Sequence, residues 1–239
     1  MIERKDEMLT KETEKQLDVD LWIIVIASLL ALMIVMIGND WIYSIAENTS
    51  INVVLRVFWM GLFQFGVAGL GITIVAIIRK ESFLSHGLRL KGIIPAVLLS
   101  VVCCLPDFIY NFAAGNVHTW CPFYDVNSTR EVLASGFPYN VLGMLITAVC
   151  WGFFEGFNYV FISDKINARY PSKNKFLNWG AIVCAVMCIL IHGAVGVTPD
   201  AIIEMLCTMF LIYGMLMVRD KTGNAWGCVL IFVVYWNAL

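Results

Sequence analysis

Seven long apolar runs, separated by short polar stretches, leave this chain few folds. They cover residues 21–38, 51–78, 92–114, 139–162, 178–195, 199–218 and 224–239. A helix of about 20 apolar residues spans the roughly 30 Å hydrocarbon core of a bilayer. Of the 239 residues, 60% are hydrophobic and 14% are charged, whereas a soluble domain carries about 45–50% and about 25%. That balance excludes an ordinary soluble domain, a disordered chain and a secreted disulfide scaffold. A net charge of −2 offers no basic surface to nucleic acid, so none is expected as a partner. The expected fold is all-α, a polytopic transmembrane helical bundle of about seven spans. Arg56, in the second run, lies close enough to one end to snorkel.

Loop charges give the orientation. Arg4, Lys5, Lys11 and Lys15 precede the first run, and Arg79, Lys80, Arg89 and Lys91 follow the second. Lys165, Arg169, Lys173 and Lys175 follow the fourth, and Arg219 and Lys221 follow the sixth. The intervening loops hold only Arg130. Basic loops stay cytoplasmic, so the amino terminus is expected inside and the carboxyl terminus outside. The first run lacks a small-residue cleavage pattern and follows the charged segment 1–20, which argues for a retained helix rather than a signal peptide. The expected location is the plasma membrane, with membrane lipid as a partner.

Of eight cysteines, Cys103, Cys104, Cys150, Cys184, Cys188, Cys207 and Cys228 lie in apolar runs and only Cys121 lies in a polar loop. No CxxC spacing occurs. They read as small core hydrophobes rather than as disulfide partners or metal ligands.

Polar residues inside spans are costly and mark function by default. Here they are Asp107, Asn111, Glu155, Asn158, His192, Glu204 and Asn237. Asp107 follows Pro106, which suits a kink or a helix end as well as a site. Glu155 and Asn158 share a helix face, beside a Gly152–Gly156 step that lets another helix approach. His192 is the one histidine within a run; alone it is as easily a structural hydrogen bonder as a catalyst. Asn237 can be interhelical glue, and Glu204 can serve the N-terminal dipole of its helix.

Order and spacing in residues 139–239 resemble the CPBP family, which comprises type II CAAX prenyl proteases and bacteriocin-processing or immunity membrane proteins. The family motif Glu-Glu-x-x-x-Arg corresponds to Glu155-Gly156-Phe157-Asn158-Tyr159-Val160, which keeps the first Glu only. Phe-x-x-x-His corresponds to Cys188-Ile189-Leu190-Ile191-His192, which keeps the His. His-x-x-x-Asn corresponds to Val233-Val234-Tyr235-Trp236-Asn237, which keeps the Asn. Phe210 to Leu216 and the following Arg219 to Trp226 resemble the family's Gly-containing helix and turn. The resemblance divides the chain into a polar segment 1–20, three variable spans in 21–138 and a four-helix core in 139–239.

The resemblance implies a membrane-embedded endopeptidase acting on a peptide or protein segment at the membrane. Glu155 and His192 would activate water, and Asn237 would donate to the oxyanion. Asn158, Glu204 and Asp107 are possible supporting residues. No cofactor or metal is expected, since no HExxH occurs. Gly156, Val160 and Val233 replace family residues, so a catalytically inactive relative acting as an immunity, scaffold or chaperone-like protein is the alternative. A small transporter using Asp107, Glu155 and His192 is a third reading, disfavoured by the absence of inverted repeats and of broken-helix pairs in the sequence.

Overall fold

A computed structural model describes residues 11–117, 119–174, 176–193 and 198–238, without side chains at 191–193, 199 and 200. Among them every regular element is helical. The chain forms α1 (Lys11–Ile37), α2 (Asn39–Ala46), α3 (Val53–Ala68), α4 (Leu70–Arg79), a 3₁₀ turn (Phe83–His86), α5 (Ile93–Cys103) and α6 (Leu105–Ala114). It continues with α7 (Thr129–Ala134), α8 (Tyr139–Thr147), a π-helical segment (Ala148–Phe154) and α9 (Glu155–Arg169). Then come α10 (Trp179–Gly193), α11 (Pro199–Thr222), α12 (Trp226–Ile231) and a second π-helical segment (Phe232–Trp236).

Among the described residues, four helices are long and apolar enough to cross a membrane, and five if the bent pair α3–α4 is one span. The runs expected at 178–195 and 224–239 form shorter apolar helices, Trp179–Leu190 and Trp226–Trp236. The second expected run is broken at Gly69, where α3 and α4 meet at 61°. The break has a packing cause. A Cβ on Gly69 would lie 2.8 Å from the Phe154 ring and would also strike Phe65, so only glycine lets these rings close on the backbone.

The outer surface is apolar. Along α1 only Leu17, Asp20 and Ile24 are buried, while Trp22, Leu29, Met36 and Ile37 are exposed. So are Leu98 and Val102 of α5, Ile109 and Phe112 of α6, and Leu206 and Phe210 of α11. A soluble monomer rarely shows such continuous apolar area, so this is the surface of a membrane protein. Inside, Phe157, Val160 and Phe161 of α9 pack with Cys184 and Cys188 of α10, Leu211 and Met215 of α11, and Cys228 and Phe232 near the carboxyl end. The cysteines there fill core volume.

One end of the bundle carries a connected set of charges. Asp20 of α1 accepts from Arg79 Nε at 2.7 Å and from Lys165 Nζ at 3.0 Å. Lys165 also donates to Glu81 at 2.7 Å. His86 lies between Glu81 and Asp164, and Arg219 of α11 grips Asp164. The described residues 11–20 are thus helical ahead of the first apolar run, and the buried Asp20 among them has cationic partners on α4 and α9.

The opposite end is tied differently. Arg56 is buried rather than snorkelling outward: Nη1 donates to the Ala46 carbonyl, Nε donates to Ile51, and Nη2 pairs with Glu131 of α7. The segment between α6 and α7 folds across this end. Trp120 Nε1 donates to the Val234 carbonyl at 2.7 Å, Cys121 N to Ala238 at 3.1 Å and Asp125 N to Asn237 at 3.2 Å.

Candidate functional site

Glu155 and Asn237 each stand at the exit of a π-helical segment. Glu155 opens α9 directly after Ala148–Phe154, and Asn237 follows Phe232–Trp236. A π turn inserts an extra residue into the helical ladder and re-aims the side chains around it, which is why such turns recur at functional sites. Two glycines let the segments meet. A Cβ on Gly156 would lie 2.9 Å from the Cys228 carbonyl oxygen and 3.0 Å from Val229 Cα. One on Gly152 would lie 2.7 Å from Val233 Cγ2 and 3.2 Å from the Phe123 ring. The expected close approach at this step is thus made by α12 and the segment that follows it.

The Glu155 carboxylate accepts a hydrogen bond from Gln64 Nε2 of α3 at 2.9 Å. The side chains of Asn237 and Trp236 face the same carboxylate. The Asn237 contact stops short of hydrogen-bond geometry, since its amide nitrogen is buried and unpaired. Tyr159, one turn beyond Glu155, stacks on Phe232 with ring centroids 5.6 Å apart. Its backbone carbonyl accepts from Cys184 Sγ at 3.5 Å, which ties α9 to α10.

The structure thus brings Glu155 and Asn237 together. His192 lies on α10, and its side chain lies outside the described residues. Cys184, Cys188 and position 192 follow one another at helical i, i+4 spacing. Asn158 Oδ1 is buried with no hydrogen bond among the described residues. Val233, where the resembled family has a histidine, packs against Gly152.

Asp107 and Glu204 are not beside Glu155. They line a polar cavity of about 360 Å³ with Asn111, Asn116, Asp125, Thr208 and Tyr235, and Glu155 is not part of its lining. Asn237 and Trp236 also line this cavity, so they form the partition between it and Glu155. Asp107 is buried, and its Oδ2 accepts from Tyr235 Oη at 2.5 Å and from Asn111 Nδ2 at 3.3 Å.

Gln64 escapes a reading centred on carboxylates and histidine, although an amide in the otherwise apolar Phe63-Gln64-Phe65 is a visible signal. Tyr235 and Trp236 look like interfacial aromatics in sequence, and only the π turn aims them inward. Among the described residues, no cluster of three or more His, Cys, Asp or Glu side chains is arranged to hold a metal. Neither a family model, nor a curated protein, nor a solved structure matches the chain.

Proposed function

We propose that the chain is a membrane-embedded peptidase of the CPBP type that cleaves a peptide segment at the membrane. One observation carries this reading. Glu155 and Asn237, distant in sequence and each following a π-helical segment, face one another inside an apolar bundle with Gln64 as a third polar group. In this reading Glu155 takes a proton from water, the resulting hydroxide adds to the scissile carbonyl, and Glu155 returns the proton to the amine nitrogen as the C–N bond breaks and the carbonyl re-forms. The free Asn237 amide N–H donates to the oxyanion as it forms, where donors matter most. Position 192 continues the row of Cys184 and Cys188 on α10, and His192 is assigned as the partner of Glu155.

The same reading places the protein in the plasma membrane with seven crossings. In this arrangement α3–α4 is one bent span, and the short helices α10 and α12 also cross. The amino terminus is cytoplasmic. Two groupings support this. Arg79, Lys165 and Arg219, from three loops expected inside, gather in one charge network. The segment 115–138 meets the carboxyl end through Trp120 and Cys121 and the first turn of α3 through Glu131.

Val233 favours a second reading, an inactive relative with a binding or scaffold role. It packs against Gly152, which Phe123 also approaches, and a valine side chain carries no donor. The test is cleavage of a peptide library by the protein in lipid nanodiscs, read by mass spectrometry. Wild type should yield products, and Glu155→Gln, Asn237→Ala and His192→Ala should lose them. Products of equal yield from Glu155→Gln would refute the peptidase reading, and none from wild type would favour the second.

A further inference from the structure

We infer that the groove between α1, α9 and α10 holds an acyl chain of an anionic phospholipid, with the phosphate among Lys11, Lys15 and Lys173. The groove encloses about 700 Å³ and lies at the end of the bundle that carries the charge network. Ile162 and Ile166 of α9, both buried, form its floor. Leu21 and Val25 of α1 form one wall, and Val183 and Met187 of α10 form the other.

Shape selects the occupant. From Trp179 to Met187 the groove follows α10 for about 12 Å, at about 1.5 Å per residue. One leaflet of the hydrocarbon core is about 15 Å deep, and a crossing helix needs about 30 Å. The groove therefore suits a chain of one leaflet and is too short to seat the spanning helix of a partner or of a second copy. Its lining is apolar save for Asp18, and that carboxylate is taken up by Arg169 at 2.8 and 3.4 Å. Nothing unpaired is left to face the chain. Packed proteins leave few voids of this size, and a bilayer fills such a recess with hydrocarbon.

Charge selects the headgroup. Trp22, Tyr170 and Trp179 line the groove and are exposed, as aromatic side chains are at the level of the headgroups. Cations collect at the same end. Lys11 and Lys15 precede Asp18 and Trp22 along α1 at helical spacing, so they stand on that side of the helix just beyond the groove. Lys173 lies in the turn that joins Tyr170 to Trp179, at the mouth. All three lysines are exposed, and none takes part in an ion pair among the described residues. The acids beside them are engaged, since Arg169 pairs with both Asp18 and Glu14. Glu12 lies on the face of α1 opposite Leu21, away from the groove. Three uncommitted ammonium groups at headgroup level attract an anionic lipid over a zwitterionic one.

The inference concerns lipid binding and does not rest on the peptidase reading. Its test is native mass spectrometry of the full chain, titrated with phosphatidylglycerol or phosphatidylcholine of identical acyl chains. The readout is the dissociation constant of the first lipid retained. Phosphatidylglycerol should bind about fivefold or more tighter, the factor expected for even one lysine at the membrane surface. Lys11→Gln, Lys15→Gln and Lys173→Gln together should remove that preference, whereas Lys80→Gln, at the exposed end of α4, should keep it. Val183→Trp fills the groove from its wall and should weaken both lipids about tenfold, the worth of about two buried methylenes. Leu206→Trp, on the exposed face of α11, should weaken neither. Val25→Trp on the opposite wall makes the same test if Val183→Trp does not melt cooperatively. Glycerol phosphate, a headgroup without a chain, should not displace the lipid. Equal affinity for the two lipids would overturn the inference. So would an unchanged preference in the triple lysine variant, unchanged binding in the groove-filling variants, or displacement by glycerol phosphate.

Discussion

Gln64 Nε2 donates to Glu155 Oε2 at 2.9 Å, joining α3 to α9 across 91 positions of sequence. In an apolar bundle the bond fixes the carboxylate and gives the amide its acceptor. Gln64→Leu should therefore destabilise the protein by about 1–3 kcal/mol, the usual cost of orphaning a buried polar partner. Thermal unfolding in detergent micelles checks it. In the peptidase reading the same variant should also lower kcat more than it raises KM, because it misplaces the base.

Gly156 and Gly152 should respond differently to the same added methyl group. At Gly156 the obstacle is backbone, the Cys228 carbonyl and Val229 Cα of α12. Gly156→Ala has nowhere to go and should cost about 1–3 kcal/mol. At Gly152 the nearest obstacle is the Val233 side chain. Gly152→Ala should be destabilising alone and substantially restored by Val233→Ala. A double-mutant cycle should give a coupling of about 0.5–3 kcal/mol; additive costs would show that the two segments do not meet here.

Lys165 bridges Asp20 and Glu81 with its ammonium group, at 3.0 and 2.7 Å. Lys165→Leu leaves two carboxylates facing each other at the end of the bundle, one of them buried. Asp20 keeps Arg79, so the cost should be about 1.5–3 kcal/mol, that of lost hydrogen bonds to charged groups. The more exposed Asp18–Arg169 pair should behave otherwise, and Asp18→Ala should leave the melting temperature nearly unchanged. Melting the two variants side by side decides the ordering.

Helical class and membrane character were legible because hydropathy alone sets them: apolar length and loop charge need no tertiary knowledge. The candidate pair Glu155 and Asn237 was legible because polar residues are conspicuous in apolar runs. Three features were not. The break at Gly69 depends on Phe154, which is far away in sequence. The π segments before Glu155 and Asn237 are a choice of backbone hydrogen-bond register, which leaves no mark on hydropathy. The separation of Asp107 and Glu204 from Glu155 depends on which face of α12 and its π turn presents Tyr235, Trp236 and Asn237 to each side.

Sidedness gives the last prediction. Cys121 lies in the segment that meets the carboxyl end, with its backbone N–H bound to the Ala238 carbonyl. It is partly exposed, whereas Cys104, Cys150, Cys184, Cys188 and Cys228 are buried. Lys173, exposed between α9 and α10, lies on the far side of the Tyr139–Arg169 span. A membrane-impermeant maleimide added to intact cells should label Cys121. It should label Lys173→Cys, in a background carrying Cys121→Ser, only after the membrane is opened. The reverse pattern would invert the orientation and put the charge network of Asp20, Lys165 and Asp164 outside. Labelling of both from the same side would mean that Tyr139–Arg169 does not cross, and Glu155 would then lose the apolar surroundings on which its proposed role depends.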